Sequence, residues 1–316
     1  MTAVALTPRL ILLLSLAPAL WAGNVVVSRL ALDSIGPLWL NVGRWGLALL
    51  LILPLSWRAF TSPKSRAAFA QRWRHMLLLS LLGVGAYNAL QYLALSTSTP
   101  LNVTLIAASA PVWTVLIGAL AYAERPRAAQ LLGALLSLSG VAVVLSRGDP
   151  HALLRLHFLS GDVLMLTAII CWSAYSWMLA RPPASMVGDA RPAWTWAEFL
   201  ALQIAPSVLW ATLAAGTGEW LAPTPPIHWS TGLCLTLFYV ALGPSLVAYR
   251  AWGLGVAQAG PAVAAFMSNL TPLFAALMSG AVLDEWPQAF HGLAFALIVG
   301  GIVVSSWPKS APQQST

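Results

Sequence analysis

Charge is what this sequence has least of. Asp, Glu, Lys and Arg make up 8% of its 316 residues, against 59% hydrophobic residues and a mean hydropathy of +0.78. A soluble domain carries roughly 25% charged residues. A chain this poor in charge cannot cover a water-facing surface, which excludes an ordinary soluble enzyme. Carboxylates are scarcer than cations, nine against 16. None falls near the middle of an apolar run: Glu124, Asp162, Glu198, Asp284 and Glu285 all lie near run ends. Proton and sodium relays ordinarily use an intramembrane acid. The two cysteines, Cys171 and Cys234, sit inside apolar runs and read as small buried hydrophobes, not as a disulfide or thiolate metal site. There is no HExxH, no Walker loop and no paired acidic motif, which excludes an ATP-driven pump within this chain. The five histidines fall in loops or run ends, leaving no buried nucleophile and base for a membrane enzyme. No cofactor and no metal are expected. The net charge of +7 would point to nucleic acid in a soluble protein. Here the cations lie elsewhere, and no nucleic-acid partner is expected.

What the chain does have is long apolar runs. A bilayer-spanning helix needs about 20 predominantly apolar residues in a row. Ten such runs are present, near 10–31, 36–57, 76–95, 101–123, 128–146, 160–180, 197–215, 230–250, 260–283 and 288–307. They predict an all-α membrane protein of ten transmembrane helices with the lipid bilayer as its solvent. Alternation over segments of about ten residues would mark a β-barrel, and GALLSLSGVAVVL shows none. The first run is too long for a typical signal-peptide core and is interrupted by Pro18, Trp21 and Asn24, so it is read as a span.

The loops give the orientation. With the N-terminus in the cytoplasm, the inner segments carry Arg9, Arg58, Lys64, Arg66, Arg72, Arg74, Arg125, Arg127, Arg181, Arg191, Arg250 and Lys309. The outer segments carry Arg147 and Arg155. By the positive-inside rule both termini are cytoplasmic.

The chain also repeats itself. Pro100 returns as Pro261, Pro111 as Pro272, Glu124 as Glu285, Pro126 as Pro287 and Gly140 as Gly301, all at an offset of 161 residues. The halves are 1–150 and 151–316. Each holds five spans, an odd number, so the second inserts upside down relative to the first. Matching loops accordingly carry opposite charge biases: 58–75 holds five cations, and its counterpart 216–229 holds none and carries Glu219. Inverted repeats of this kind build secondary transporters, with the substrate near the midplane.

Candidate site residues follow from polar and aromatic groups placed deep in the spans. Trp21, Asn24 and Ser28 share one face of the first span, echoed by Trp172, Tyr175 and Ser176 in the sixth. Tyr87, Asn88, Gln91 and Tyr92 form the most polar stripe, in the third span. Interhelical hydrogen bonding is one reading of that stripe and cavity lining the other. Asn102, Ser109 and Trp113 share a stripe in the fourth span, and Pro111 and Pro272 are expected to kink the fourth and ninth. Arg44 lies about 12 Å from the outer end of its span. Two readings stay open for it: it snorkels outward or pairs with Asp33 or a carbonyl, or it lines a wet vestibule and attracts a carboxylate. Trp57, Trp73, Trp194, Trp196, Trp220, Trp229, Trp286 and Trp307 sit near span ends and read as the interfacial belt. The fifth and tenth spans are rich in small residues and are expected to pack closely.

PALWAGNVVVSRLAL, GRWGLALLLILP and the stretch from YNALQYLALSTSTP to YAERP, with the echo EWP, resemble the EamA-type transporters of the drug/metabolite transporter superfamily. Within that family the chain looks most like the YddG group, exporters of aromatic amino acids. The resemblance implies a basket of helices around a central cavity, with the fifth and tenth spans peripheral. Carried onto this sequence, the cavity positions are Trp21, Asn24, Tyr87, Asn88, Gln91, Tyr92, Trp113, Trp172 and Tyr175. The second half departs by having Tyr249 opposite Asn88 and Gly253 opposite Tyr92. The expected function is a bacterial inner-membrane exporter of small metabolites, amino acids foremost, working by alternating access as a monomer or weak dimer. The aromatic groups would form a stacking wall, and the amides of Asn88, Gln91 and Asn102 would bind the zwitterionic end. The alternatives are another metabolite or drug, such as a nucleobase or sugar derivative, and less so a membrane-embedded enzyme or lipid translocase.

Overall fold

The computed structural model describes residues 7–31, 33–97, 103, 106–146, 148–149, 151–152, 160–221, 224, 226–283 and 288–305. Among these there are helices and no strands. In chain order they are α1 (Pro8–Ala31), α2 (Pro37–Thr61), α3 (Pro63–Gln71), α4 (Trp73–Leu79), α5 (Tyr87–Thr97), α6 (Ala110–Ala121) and α7 (Ala128–Leu145). Then come α8 (Ser160–Ala180), α9 (Trp196–Leu221), α10 (Thr231–Val240), α11 (Ala248–Ala259), α12 (Pro261–Ser268), α13 (Thr271–Leu283) and α14 (Ala289–Ser305). Among the described residues, six continuous helical stretches are long and apolar enough to cross a membrane: Pro8–Ser28, Pro37–Thr61, Trp73–Ala94, Ser160–Ala180, Trp196–Trp220 and Thr231–Ala259. Ala110–Ala121, Ala128–Val143, Pro261–Ala275 and Ala289–Ser305 are shorter apolar helices.

The helix starts are written in the sequence. Pro37, Pro63 and Pro261 open α2, α3 and α12, where the missing N–H would have had no partner anyway. Thr195 and Glu198 form a capping box on α9, each side chain accepting from the other's backbone N–H at 3.2 and 2.7 Å. Between α11 and α12, Gly260 takes φ +83, a left-handed geometry that disfavours residues with a Cβ.

Two features were not visible as local signals. A π-helical turn, Ser80–Ala86, joins α4 to α5, and a second, Ala241–Val247, joins α10 to α11. They stand 161 residues apart, the offset of the sequence repeat. The helix breaks recur at the same offset, at Ala108–Ser109 and at Asn269–Leu270. Pro111 and Pro272 therefore do not kink an unbroken span as expected. Each sits at the second position of a new helix, where it costs no hydrogen bond, and the discontinuity lies just before it.

Packing crosses between the halves. The first-span helix α1 lies on α11 and α13, and its counterpart α8 lies on α5 and α6; α2 pairs with α9 and α7 with α14. The α2 and α9 helices run antiparallel. At one end Trp39 donates to Glu219 at 3.1 Å. At the other, Trp194 donates to Ser65 at 2.7 Å, and Arg72 donates to the carbonyls of Ser185 and Ala190. Arg181 also pairs with Glu124. Segments with cations therefore meet one another, 58–75 with 181–196, while on the other side the His228 backbone N–H donates to the Ser34 carbonyl at 2.9 Å. Leucines such as Leu12, Leu50, Leu120, Leu135, Leu209 and Leu235 cover the outside. Trp57, Trp73, Trp196, Trp220 and Trp229 are exposed, as a belt requires; Trp194 is partly buried, and Trp286 and Trp307 lie outside the described residues.

The small-residue spans pack on each other closely. A Cβ on Gly301 would stand 2.6 Å from the Gly133 carbonyl, and one on Gly140 2.8 Å from the Ala294 carbonyl. Backbone cannot yield as a side chain can. Gly301→Ala is expected to destabilise by about 1–3 kcal/mol, the usual cost of overpacking. Gly300→Ala, where a Cβ meets nothing within 4 Å, is the control. Thermal unfolding in detergent reads both; equal melting temperatures would contradict the packing.

Candidate functional site

The inter-half seam is filled by aromatic rings. Trp172 of α8 is the hub. Its ring centroid lies 5.3 Å from Trp21, 5.0 Å from Tyr87, 5.3 Å from Tyr175, 5.6 Å from Tyr249 and 5.2 Å from Trp252. Trp21 also meets Trp252 at 5.4 Å, and Trp45 meets Tyr249 edge-on at 5.3 Å. Edge-to-face and tilted arrangements dominate, as the ring quadrupoles favour. The rings come from α1, α2, α5, α8 and α11, so both halves contribute.

The two π turns hold this cluster. Such turns leave carbonyls out of the regular i−4 ladder. The Gly83 carbonyl accepts from the Tyr249 hydroxyl at 2.6 Å, and its repeat counterpart, the Pro244 carbonyl, accepts from Trp21 Nε1 at 3.2 Å. Each half thus offers one carbonyl to an aromatic residue. Pro244 has no N–H for the Val240 carbonyl, four residues back. Ser245 Oγ donates to that carbonyl instead, at 2.8 Å.

Polar groups at the seam are linked as well. Asn88 Nδ2 donates to the Val84 carbonyl at 3.0 Å and to the Tyr249 hydroxyl at 3.2 Å. Arg44 Nη1 donates to Asn88 Oδ1 at 3.2 Å, and Arg44 Nε to Ser245 Oγ at 2.5 Å. Gln91 Nε2 donates to the Tyr87 hydroxyl at 3.2 Å. Trp252 Nε1 donates to Ser176 Oγ at 3.2 Å.

Of the sequence-derived positions, the structure brings Trp21, Tyr87, Asn88, Gln91, Trp172 and Tyr175 together. Tyr92 lies one turn beyond Asn88, buried, with its hydroxyl unpartnered. Asn24 is buried and accepts from Ser28 at 3.4 Å. Trp113 stands apart from the ring cluster: it donates to Ser109 Oγ at 3.1 Å and packs on a smaller core with Met165 and Ile169. Asn102 lies outside the described residues. Asn88, assigned to the zwitterionic end of a substrate, already serves as glue between the halves. Arg44 neither snorkels nor pairs with Asp33; it is 2% exposed and turns into the seam. Sequence reading missed Trp252, Trp45 and Ser245. The repeat offset carried a signal for Trp252, because Asn88 and Gln91 map onto Tyr249 and Trp252.

Comparison with known proteins gives concordant results. The model of the EamA-like transporter family matches residues 8–146 and again residues 159–307. An uncharacterized transporter of Archaeoglobus fulgidus is 26% identical over 288 residues, covering 89% of this chain and 92% of that protein. The aromatic amino acid exporter YddG of Ancylobacter novellus is 25% identical over 222 residues, covering 69% of this chain and 71% of that protein. One crystal structure superposes with a TM-score of 0.72 at 20% identity, covering 94% of this chain and 96% of the other. That likeness concerns the fold alone.

Proposed function

The chain belongs to the EamA-like transporter family, a multi-pass membrane transporter of small substrates, and from that premise we propose that it exports amino acids, aromatic and other neutral ones, across a bacterial inner membrane. The observation that carries this reading is the ring cluster on the seam, built from both halves around Trp172. An apolar, stacking-capable wall suits a flat side chain. The relative named as an aromatic amino acid exporter supports the same choice. Alternating access between two inverted five-helix halves, with both termini cytoplasmic, is the proposed mechanism. The antiparallel run of α2 and α9 supports it, as does the recurrence of π turns and helix breaks at one offset. In this reading the halves rock about the seam and expose the cluster to either side in turn. No chemical step is involved, so the protein acts as a transporter and not as an enzyme.

The test is uptake by proteoliposomes of labelled phenylalanine and threonine against labelled uracil and hypoxanthine. Amino acid uptake above protein-free liposomes, with none for the nucleobases, is the expected result; the reverse pattern overturns the substrate class. Because no acid lies mid-span, flux down a substrate gradient is expected without an imposed proton or sodium gradient. Uptake that appears only with a pH gradient would contradict that expectation.

A further inference from the structure

Arg44 is a buried cation without a counter-anion. No carboxylate among the described residues pairs with it, and its two hydrogen-bond partners, Ser245 and Asn88, are neutral. Unpaired buried charge costs several kcal/mol, and inside a membrane it ordinarily marks a ligand or ion site. A second observation points the same way. Asn41, on the same face of α2 and 1% exposed, has both its amide oxygen and its amide nitrogen buried without a partner among the described residues. Trp45 Nε1, beside Arg44, is likewise unpartnered, and so is the Tyr92 hydroxyl on α5. Consecutive spans run antiparallel, and Arg44 bonds Asn88 across α2 and α5. One turn from Arg44 toward the start of α2 is Asn41, and one turn from Asn88 toward the end of α5 is Tyr92. Asn41 and Tyr92 therefore stand at one level, one turn from the Arg44–Asn88 bond, and the Trp45 ring lies 4.9 Å from the guanidinium.

We propose that Arg44, Asn41, Trp45 and Tyr92 form an anion subsite that receives the carboxylate of the transported molecule. This deepens the transport reading and rests on it for the identity of the ligand. The donor set is suited to a carboxylate: a guanidinium fork, an amide N–H, an indole N–H and a phenol, with no competing acid. The Asn41 carbonyl oxygen is left as an acceptor for a neighbouring ammonium. The subsite adjoins the ring cluster, since Trp45 packs on Tyr249 at 5.3 Å and the Arg44 guanidinium lies 4.9 Å from the Trp45 ring. An aromatic amino acid can then place its charged end at α2 and its ring against the cluster. Asn88 orients Arg44 instead of touching the substrate.

The experiment is ligand-induced thermal stabilisation of the purified full chain in detergent, with two acid–amide pairs: benzoate with benzamide, and phenylalanine with phenylalaninamide. The acids are expected to stabilise the wild type and the amides are not. Arg44→Gln is expected to bind the acids about tenfold or more weakly, the scale of one lost charged hydrogen bond, and to lose the acid-over-amide preference. Should Arg44→Gln fail to fold, the wild-type pairs and Asn41→Leu, expected to weaken both acids, still decide. A wild type that discriminates neither pair, by binding both members or neither, overturns the subsite; so does an Arg44→Gln protein that keeps the preference. Phenylalanine transport without acid preference sinks the subsite alone. Acid preference without phenylalanine transport sinks the transport reading and leaves the subsite standing.

Discussion

Replacing Trp172 by Ala is expected to lower export of aromatic amino acids more than tenfold, with a smaller loss for alanine or threonine. Five rings rest on Trp172, and each aromatic pair contributes about 0.5–1.5 kcal/mol beyond its buried area. Truncation of a core Trp also costs about 3–5 kcal/mol of stability, so Trp172→Phe belongs beside it. That variant keeps a ring at the hub and is expected to insert normally while transport of aromatic substrates falls by an intermediate amount. Gln91→Ala leaves the rings in place and is expected to reduce all amino acids alike. Trp113→Ala, off the cluster, is expected to be milder than Trp172→Ala. Trp57, 53% exposed, is the control. If Trp57→Ala abolishes transport at normal expression while both Trp172 variants retain it, the rings at the seam are only packing.

The second large effect is at Gly83. A Cβ there would stand 2.4 Å from the Tyr175 ring. Tyr175 cannot swing aside: it is 2% exposed and held between Trp172 and Tyr249, whose hydroxyl bonds the Gly83 carbonyl. Gly83→Ala is expected to cost about 1–3 kcal/mol and to reduce transport sharply, because the π turn and the cluster shift together. Removing the obstructing ring as well gives a coupling test. In the Gly83→Ala, Tyr175→Ala double variant the losses of stability should add up to less than the sum of the single ones, as expected for residues in direct contact. Strict additivity in thermal unfolding would contradict the clash.

These two sites show what a sequence can and cannot disclose. Apolar length marked the six stretches that are long enough to cross a membrane, and the 161-residue offset is shared by the π turns and the helix breaks, because both are properties of the chain alone. The stripe of Tyr87, Asn88, Gln91 and Tyr92 was legible since polar groups at helical spacing in an apolar run must find partners or water. Trp45 was not, and Trp252 was legible only through the repeat offset. At 0% and 1% exposure they are core residues, yet in the sequence they look like Trp220, which is 82% exposed. In a membrane protein the lipid face is as apolar as the core, so hydrophobic periodicity does not separate the two. The π turn at Ser80–Ala86 has no proline to announce it, whereas its counterpart carries Pro244. Arg44 bonds Asn88 in its own half and Ser245, 201 residues away, in the other, and only the packing of the halves creates the second contact.

All of this rests on the claim that the two halves cross the bilayer in opposite senses. Cysteine labelling with a membrane-impermeant reagent tests it most directly, in a background lacking Cys171 and Cys234. Ser62 follows α2 and Pro287 lies between the ninth and tenth apolar runs of the sequence, so inverted halves would put them on opposite sides. A cysteine at Ser62, like one at Thr316, should react only from the cytoplasmic side, and one at Pro287 only from the outside. Labelling of Ser62 and Pro287 from the same side would contradict the inverted halves and, with them, alternating access through the aromatic seam.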